Sequence, residues 1–124
     1  MTIEMNQTLR ILVVEDEPLI AMVLEDYLES LGHEVAGAVD SVEGALAMVA
    51  GGDFDAAILD VHLRGGEASW PVADALVAAS KPFLLATGGH VEPPPGRHAQ
   101  APVLIKPFTM DGVRLGLDGI AATA

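Results

Sequence analysis

The stretch Ile11-Leu12-Val13-Val14-Glu15-Asp16-Glu17-Pro18 decides the fold. Its four consecutive aliphatic residues do not alternate with polar ones, which is typical of a strand buried on both faces of a parallel sheet. Pro18 favours the first turn of a helix. One helix face follows at the expected spacing, with Ile20, Val23, Leu24, Tyr27, Leu28 and Leu31, before Gly32 ends the pattern. The stretch therefore predicts a buried strand that leads directly into an amphipathic helix.

The same succession of strand and helix recurs along the chain. Further strands are predicted over 35–39, 54–59, 83–86 and 103–105. Helices are predicted after Ser41, from Ser69 to Ser80 with Leu76 and Val77 facing inward, and after Thr109 with Val113, Leu117 and Ile120 facing inward. Five strands alternating with helices indicate an α/β fold with a doubly wound five-stranded sheet, mostly or wholly parallel.

The link between the fourth and fifth predicted strands is irregular. It contains Gly88, Gly89, the run Pro93-Pro94-Pro95 and Gly96. Successive prolines remove backbone donors and clash with the preceding turn, so they do not continue a helix. We therefore expect the fourth helix of the fold, which would join these two strands, to be shortened to about one turn or absent.

Composition limits the class of protein. The 124 residues carry 18 acidic and 6 basic side chains, a formal net charge of −12, which argues against nucleic acid or an anionic membrane as a partner. The absence of cysteine excludes disulfides and thiolate chemistry. No apolar run reaches the length of a membrane span, and the N-terminus lacks the apolar core of a signal peptide. We expect a cytoplasmic protein with an extension over 1–8, one domain over 9–120 and a tail over 121–124.

Polar side chains with related chemistry follow the predicted strands. Glu15 and Asp16 follow the first strand, Asp60 the third, Thr87 the fourth and Lys106 the fifth. The carboxyl ends of parallel strands meet at one edge, where ligands bind in open α/β sheets. Grouped carboxylates favour a hard divalent cation, and a strand-end aspartate can attack a phosphoryl group. A lysine and a hydroxyl would then stabilise the phosphoryl oxygens.

Each of these residues also has an ordinary structural interpretation. The acids before Pro18 could cap a helix, Asp60 could be a turn residue, Thr87 a strand terminus and Lys106 a solvated side chain. Taken singly, these interpretations are at least as good as the functional ones. Together they require four unrelated coincidences at the same edge of the sheet, so we favour a phosphoryl-accepting site.

The chain resembles the receiver domain of bacterial two-component response regulators over residues 9 to 120. The residues that carry the resemblance are Val14-Glu15-Asp16-Glu17, Leu59-Asp60, Ala86-Thr87-Gly88 and Lys106-Pro107-Phe108, in the order of the family. It is most similar to a stand-alone, single-domain alphaproteobacterial group marked by a Phe-Ala-Thr-Gly strand end. The resemblance implies a flavodoxin-like sheet with strand order 2-1-3-4-5.

The resemblance also implies roles for individual residues. Asp60 would be the phospho-acceptor. Asp16, Asp60 and the main-chain carbonyl of His62 would ligate Mg²⁺, with Mn²⁺ as an alternative ion, and Glu15 would hold a metal-bound water. Thr87, Gly88 and Lys106 would bind the phosphoryl group, and the bond before Pro107 would be cis.

The implied partners are a sensor histidine kinase or a histidine phosphotransfer protein in a phosphorelay, with dimerisation left open. The chain would not be an enzyme beyond catalysing its own Mg²⁺-dependent phosphorylation and dephosphorylation.

Two departures from the family bear on how a signal would leave the domain. Many receivers carry an aromatic switch residue three positions before the lysine, where this chain has Val103. The helix between the fourth and fifth strands, part of the usual output face, is replaced by the proline-rich segment. The usual coupling of a moving threonine to an inward-turning ring therefore cannot operate in that form.

Two other classes of function remain as alternatives. One is a phosphorylation-independent interaction module that regulates a sensor kinase. The other is a Mg²⁺-dependent phosphatase with an aspartate nucleophile, but His62 occupies the position where such an enzyme would carry a second carboxylate. The side chain of His62 could tune the lifetime of an aspartyl phosphate or simply face solvent.

The remaining histidines and the single tryptophan have no assigned function. His33, His90 and His98 are predicted to be surface residues, because none has a partner at metal-ligand spacing. Trp70 is expected to cover the start of the third helix.

Overall fold

The computed structural model describes residues 8–63, 66–87, 95–98 and 101–123. The strands are β1 (Arg10–Val14), β2 (Glu34–Val39), β3 (Ala56–Asp60), β4 (Phe83–Thr87) and β5 (Val103–Ile105). The α-helices are α1 (Pro18–Ser30), α2 (Val42–Gly51), α3 (Trp70–Ala78) and α4 (Met110–Thr123). All four strand pairings are parallel and the order is β2-β1-β3-β4-β5, which confirms the predicted doubly wound fold.

Two apolar layers enclose the sheet, one on each face. On one side, residues such as Val13, Ile58 and Leu84 pack against α1 and α4, and on the other Leu12, Leu59 and Leu85 pack against α2 and α3. The central strands β1, β3 and β4 are almost entirely buried, as a strand covered on both faces must be. This burial explains why their sequences show aliphatic runs rather than alternation.

The helix starts follow local capping chemistry. The Ser41 hydroxyl accepts a hydrogen bond from the Gly44 N–H at 3.1 Å, and the Thr109 hydroxyl accepts one from Gly112 at 3.0 Å. Each bond satisfies a first-turn donor that the helix itself leaves unpaired. Both caps agree with the predicted starts of α2 and α4.

The connection between β4 and β5 agrees with the expected shortening of the helix. Its described residues contain one regular element, a 3₁₀ turn at Gly96–His98. Most of the proline-rich segment, 88–94, lies outside the described residues.

Several details differ from the sequence-based expectation. Strand β3 runs over Ala56–Asp60 rather than 54–59, and α4 extends to Thr123, through most of the predicted tail. Val77 is 58% exposed although it was expected to face inward, and Val23 on α1 is also exposed. The prediction for His98 is wrong, because this residue is buried rather than on the surface. Residues 1–7 and His90 lie outside the described part of the chain, and the proposed domain boundaries stay predictions.

Candidate functional site

Three carboxylates lie together at the carboxyl edge of the sheet. Glu15 and Asp16 follow β1 directly, and Asp60 is the last residue of neighbouring β3. One carboxylate oxygen from each lies within 4.8 Å of the others. Glu15 and Asp60 are buried, whereas Asp16 is partly exposed. Adjacent parallel strands therefore bring together acids that are 44 positions apart in the sequence (16 to 60).

Lys106 supplies the positive charge of this cluster. Its Nζ lies 2.9 Å from Glu15 Oε1 and 3.2 Å from Asp60 Oδ2. The Lys106 N–H donates to the Thr87 carbonyl at 2.9 Å, which ties the end of β5 to the end of β4. The Lys106–Pro107 peptide bond is cis, the geometry that the resemblance implies.

Burial dominates the electrostatics of the two inner carboxyls. It raises the pKa of Glu15 to about 7, since the hydrogen bond from Lys106 opposes this only in part and the charge of Asp60 adds to it. Burial also raises the pKa of Asp60, with Lys106 acting in the opposite direction. Burial works against the charge of Lys106, but the two carboxylates raise its pKa overall. The cluster carries more negative charge than one lysine can balance.

The segment after Asp60 folds back on itself and holds the start of α3. His62 forms an antiparallel bridge with Ala68, and the Leu63 N–H donates to the Glu67 carbonyl at 2.8 Å. The Ser69 N–H donates to the Val61 carbonyl at 2.9 Å. The His62 main chain is thus held beside the acidic cluster, while the residue as a whole is exposed.

The structure brings together most, but not all, of the predicted site residues. Glu15, Asp16, Asp60 and Lys106 form the cluster, and Thr87 ends β4, the strand that pairs with β3. Gly88 lies outside the described residues. The sequence did not indicate that Lys106 would contact Glu15, because strand-end position alone does not say which of several carboxylates an ammonium approaches.

The donor set fits a hard divalent cation. Mg²⁺ prefers oxygen ligands, and the cluster offers carboxylate oxygens from three residues that repel one another. A pocket of this kind is where receiver domains bind Mg²⁺.

The fold and this acidic site are those of an α/β signalling domain, and the chain belongs to the response regulator receiver domain family. The family model for the response regulator receiver domain matches residues 11–67. SdrG from Sphingomonas melonis Fr1 is 57% identical with a TM-score of 0.83, over 94% of this chain and 98% of SdrG. The BeF3-activated conformation of SdrG, from Pseudomonas melonis Fr1, is 60% identical with a TM-score of 0.75, over 87% of this chain and 92% of that one.

Two further relatives are larger than this chain. The response regulator PhyR from Brucella abortus is 28% identical with a TM-score of 0.80, over 97% of this chain and 51% of PhyR. The transcriptional regulatory protein TcrA from Mycobacterium tuberculosis is 50% identical over 56 residues, which are 45% of this chain. The match spans about a fifth of TcrA, or 22% of its length.

Receiver domains of two-component response regulators are in general signalling modules without enzymatic activity toward other molecules. Receiver domains in general interact with histidine kinases or phosphotransfer proteins. In the described part of the chain, no helix combines the length and apolar character needed to cross a membrane.

Proposed function

We propose that this receiver domain accepts a phosphoryl group on Asp60 from a phosphohistidine of a sensor kinase or phosphotransfer protein. The observation that supports this most is the cluster of Glu15, Asp16 and Asp60 with the Lys106 ammonium 3.2 Å from Asp60 Oδ2. A nucleophilic carboxylate, a cation site and a fixed positive charge are the groups that phosphoryl transfer needs in one place.

In the transfer step, a carboxylate oxygen of Asp60 attacks the phosphorus atom. The new P–O bond forms as the P–N bond of the phosphohistidine breaks, and the electron pair of that bond returns to the imidazole nitrogen. Lys106 is placed to move from carboxylate to phosphoryl oxygens, since its Nζ already contacts Asp60. Thr87, at the end of the adjacent strand, would donate its hydroxyl to a phosphoryl oxygen, and the main chain at Gly88 would add a further contact.

Asp16, Asp60 and the main-chain carbonyl of His62 would hold Mg²⁺ or Mn²⁺, with Glu15 binding a metal-bound water. The ion supplies positive charge that lowers the repulsion between carboxylates and phosphoryl oxygens. The chain contributes the arrangement: β1 and β3 fix the acids, and the bridge between His62 and Ala68 fixes the turn that carries the carbonyl.

The proposal includes a place in a cytoplasmic phosphorelay, with residues 9–120 as the functional receiver. Support comes from SdrG, similar to this chain over nearly its whole length and characterised in a BeF3-activated conformation. A phosphorylation-independent interaction module is the alternative. It is favoured by Val103, which is 50% exposed where an aromatic switch residue would otherwise stand.

Intact-mass measurement after incubation with Mg²⁺ and acetyl phosphate tests the proposal. We expect one added phosphoryl group in the wild type and in Asp111→Ala, a control at an exposed acid on α4, but none in Asp60→Ala. An unmodified wild type with intact acetyl phosphate would instead support the interaction module. Rapid turnover of varied phosphate esters would support a phosphatase.

A further inference from the structure

A cluster of side chains where the β4–β5 connection meets α3 takes no part in the proposed phosphoryl transfer. The buried ring of His98 stacks on Trp70, with centroids 5.9 Å apart and planes 15° apart, and meets the Phe83 ring edge-on at 6.1 Å. His98 Nε2 lies 2.7 Å from Asp74 Oδ1. The same carboxylate receives two hydrogen bonds from Arg97, Nε to Oδ1 at 2.7 Å and Nη2 to Oδ2 at 3.1 Å.

These contacts attach the β4–β5 connection to the rest of the domain. Trp70 and Asp74 belong to α3, whereas Arg97 and His98 belong to the 3₁₀ turn in the connection. Among the described residues of that connection, Arg97 and His98 make all the side-chain hydrogen bonds to other elements. These two residues therefore join the described part of the connection to α3.

From this arrangement we propose a latch, formed by Trp70, Asp74, Arg97 and His98, that holds the connection against α3 and opens when Asp60 is phosphorylated. The inference rests on the proposed function, since it takes Asp60 as the phospho-acceptor. It assigns the conformational response to the connection itself rather than to an aromatic residue at position 103.

The latch has the physical character of a two-state element. A three-residue 3₁₀ turn has little cooperative stability of its own, so its position depends on the side chains that anchor it. Asp74 and Arg97 lie near the surface, where a hydrogen-bonded ion pair stabilises only modestly. Opening therefore exposes one ring pair and breaks a few polar contacts, while the two main apolar layers stay intact.

Space beside the latch allows this movement. A mostly apolar cavity of about 750 Å³ lies next to it, with Phe83, His98, Val77 and Ile120 among its lining residues. Close packing normally resists the displacement of a buried ring. Here His98 is one of the residues that border an open space, so there is room beside the latch for its ring to move away from Trp70.

Residues of the latch and of the phosphoryl site lie on the same strand and on adjoining segments of the chain. Thr87 stands at the start of the connection, and Lys106 directly follows the strand at its end. Phe83 begins the same strand that Thr87 ends, and Trp70 follows Ser69, which is bonded to the segment after Asp60. A displacement at Asp60 or Thr87 therefore reaches the rings of Trp70 and Phe83 through the segment after Asp60 and through β4.

Trp70 is the only tryptophan, so its fluorescence reports on the latch directly. With Mg²⁺ and acetyl phosphate, we expect the acrylamide quenching constant of Trp70 to rise roughly twofold as the ring loses His98. Asp74→Ala and His98→Gln should show raised quenching before phosphorylation and little further change. Asp111→Ala, which alters a different exposed ion pair with Arg114, should behave as the wild type.

The same samples are analysed by intact mass, which separates the two proposals. Phosphorylated protein with unchanged Trp70 quenching overturns the latch and leaves phosphoryl transfer standing. Protein that does not become phosphorylated overturns both. Far-ultraviolet circular dichroism checks that the variants are folded. Unaltered quenching in a folded Asp74→Ala and a folded His98→Gln would also contradict the latch.

Discussion

The Lys106 ammonium is held between two carboxylates, those of Glu15 and Asp60, and both carboxylates are buried. Glu15 and Asp60 are both removed from water, and each lies within 3.2 Å of the same ammonium. A buried carboxylate left without a partner is far more costly than an exposed one. The same arrangement that prepares the site for a phosphoryl group therefore also stabilises the fold.

Lys106→Met should destabilise the protein in the presence of EDTA by roughly 1–3 kcal/mol, because two buried carboxyls lose their counter-charge and must take up a proton or repel each other. Mg²⁺ should restore part of this loss. Urea unfolding with EDTA and with Mg²⁺ measures both effects. Arg114→Met, which removes an exposed cation, is the matched control and should change stability by less than about 0.5 kcal/mol.

His33 links stability to pH. Its Nδ1 accepts a hydrogen bond from the Leu9 N–H at 3.1 Å, so the ring is bound in its neutral form. Burial lowers the pKa of His33 from 6.5, with the charge of Asp118 partly opposing it. In the window below 6.5, the unfolded chain binds the proton more readily than the folded one, so this residue makes stability fall as pH falls.

His33→Gln should flatten that dependence. Glutamine retains an acceptor but does not titrate. Between pH 7.5 and 5.5 the free energy of unfolding of the variant should therefore fall less than that of the wild type, and the two decreases should differ by under about 1 kcal/mol. Urea unfolding at several pH values measures the difference. Since the other histidines are common to both proteins, parallel curves for the two would rule out a role for His33.

At the scale of elements, α4 contains glycines in different surroundings. A Cβ built on Gly116 would lie 2.9 Å from Leu84 Cδ1, a buried side chain of β4, whereas one on Gly119 meets nothing within 4 Å. Glycine in a helix interior lowers stability because of its large unfolded-state freedom. Alanine substitution at Gly119 therefore tests helix propensity alone, whereas alanine substitution at Gly116 also tests packing against the sheet.

Gly119→Ala should raise the free energy of unfolding by about 0.5–1 kcal/mol, the usual gain in helix propensity. Gly116→Ala should be less stable than Gly119→Ala, because Leu84 must shift to admit the new methyl group. Thermal unfolding of the pair is the measurement. Equal stability would show that α4 does not approach β4 as closely as described.

For the whole molecule, the net charge of −12 has a general and a local consequence. Distributed charge repulsion is screened by any salt, whereas the cluster of Glu15, Asp16 and Asp60 offers a specific place for a divalent cation. A ligand that binds only the folded state raises its stability with concentration.

MgCl₂ should therefore raise the melting temperature more than NaCl at equal ionic strength, with a saturable dependence on Mg²⁺. This extra rise in melting temperature with MgCl₂ over NaCl should be greatly reduced in Asp16→Asn and Asp60→Asn. It should be retained in Asp111→Asn, because Asp111 is an exposed acid away from the cluster. Thermal unfolding in matched salt series measures it. An equal excess in all four proteins would indicate a diffuse charge effect.

By itself, the sequence determined the succession of elements and the edge at which the site lies. Aliphatic runs such as Ile11–Val14 become central strands, and Ser41 and Thr109 begin helices, because burial periodicity and capping act over a few residues. Asp16, Asp60 and Lys106 could be grouped in advance because parallel strands deliver their carboxyl ends to one edge. These features follow from local chemistry and one topological rule.

Only the tertiary structure decided which side chains meet. Asp74 and His98 are 24 positions apart, and no local pattern links them, yet packing buries His98 against Trp70. In the same way, Lys106 approaches Glu15 as well as Asp60, and Val77 is exposed because it borders the cavity beside the connection. Such contacts depend on how separate elements pack in three dimensions, which short-range periodicity does not encode.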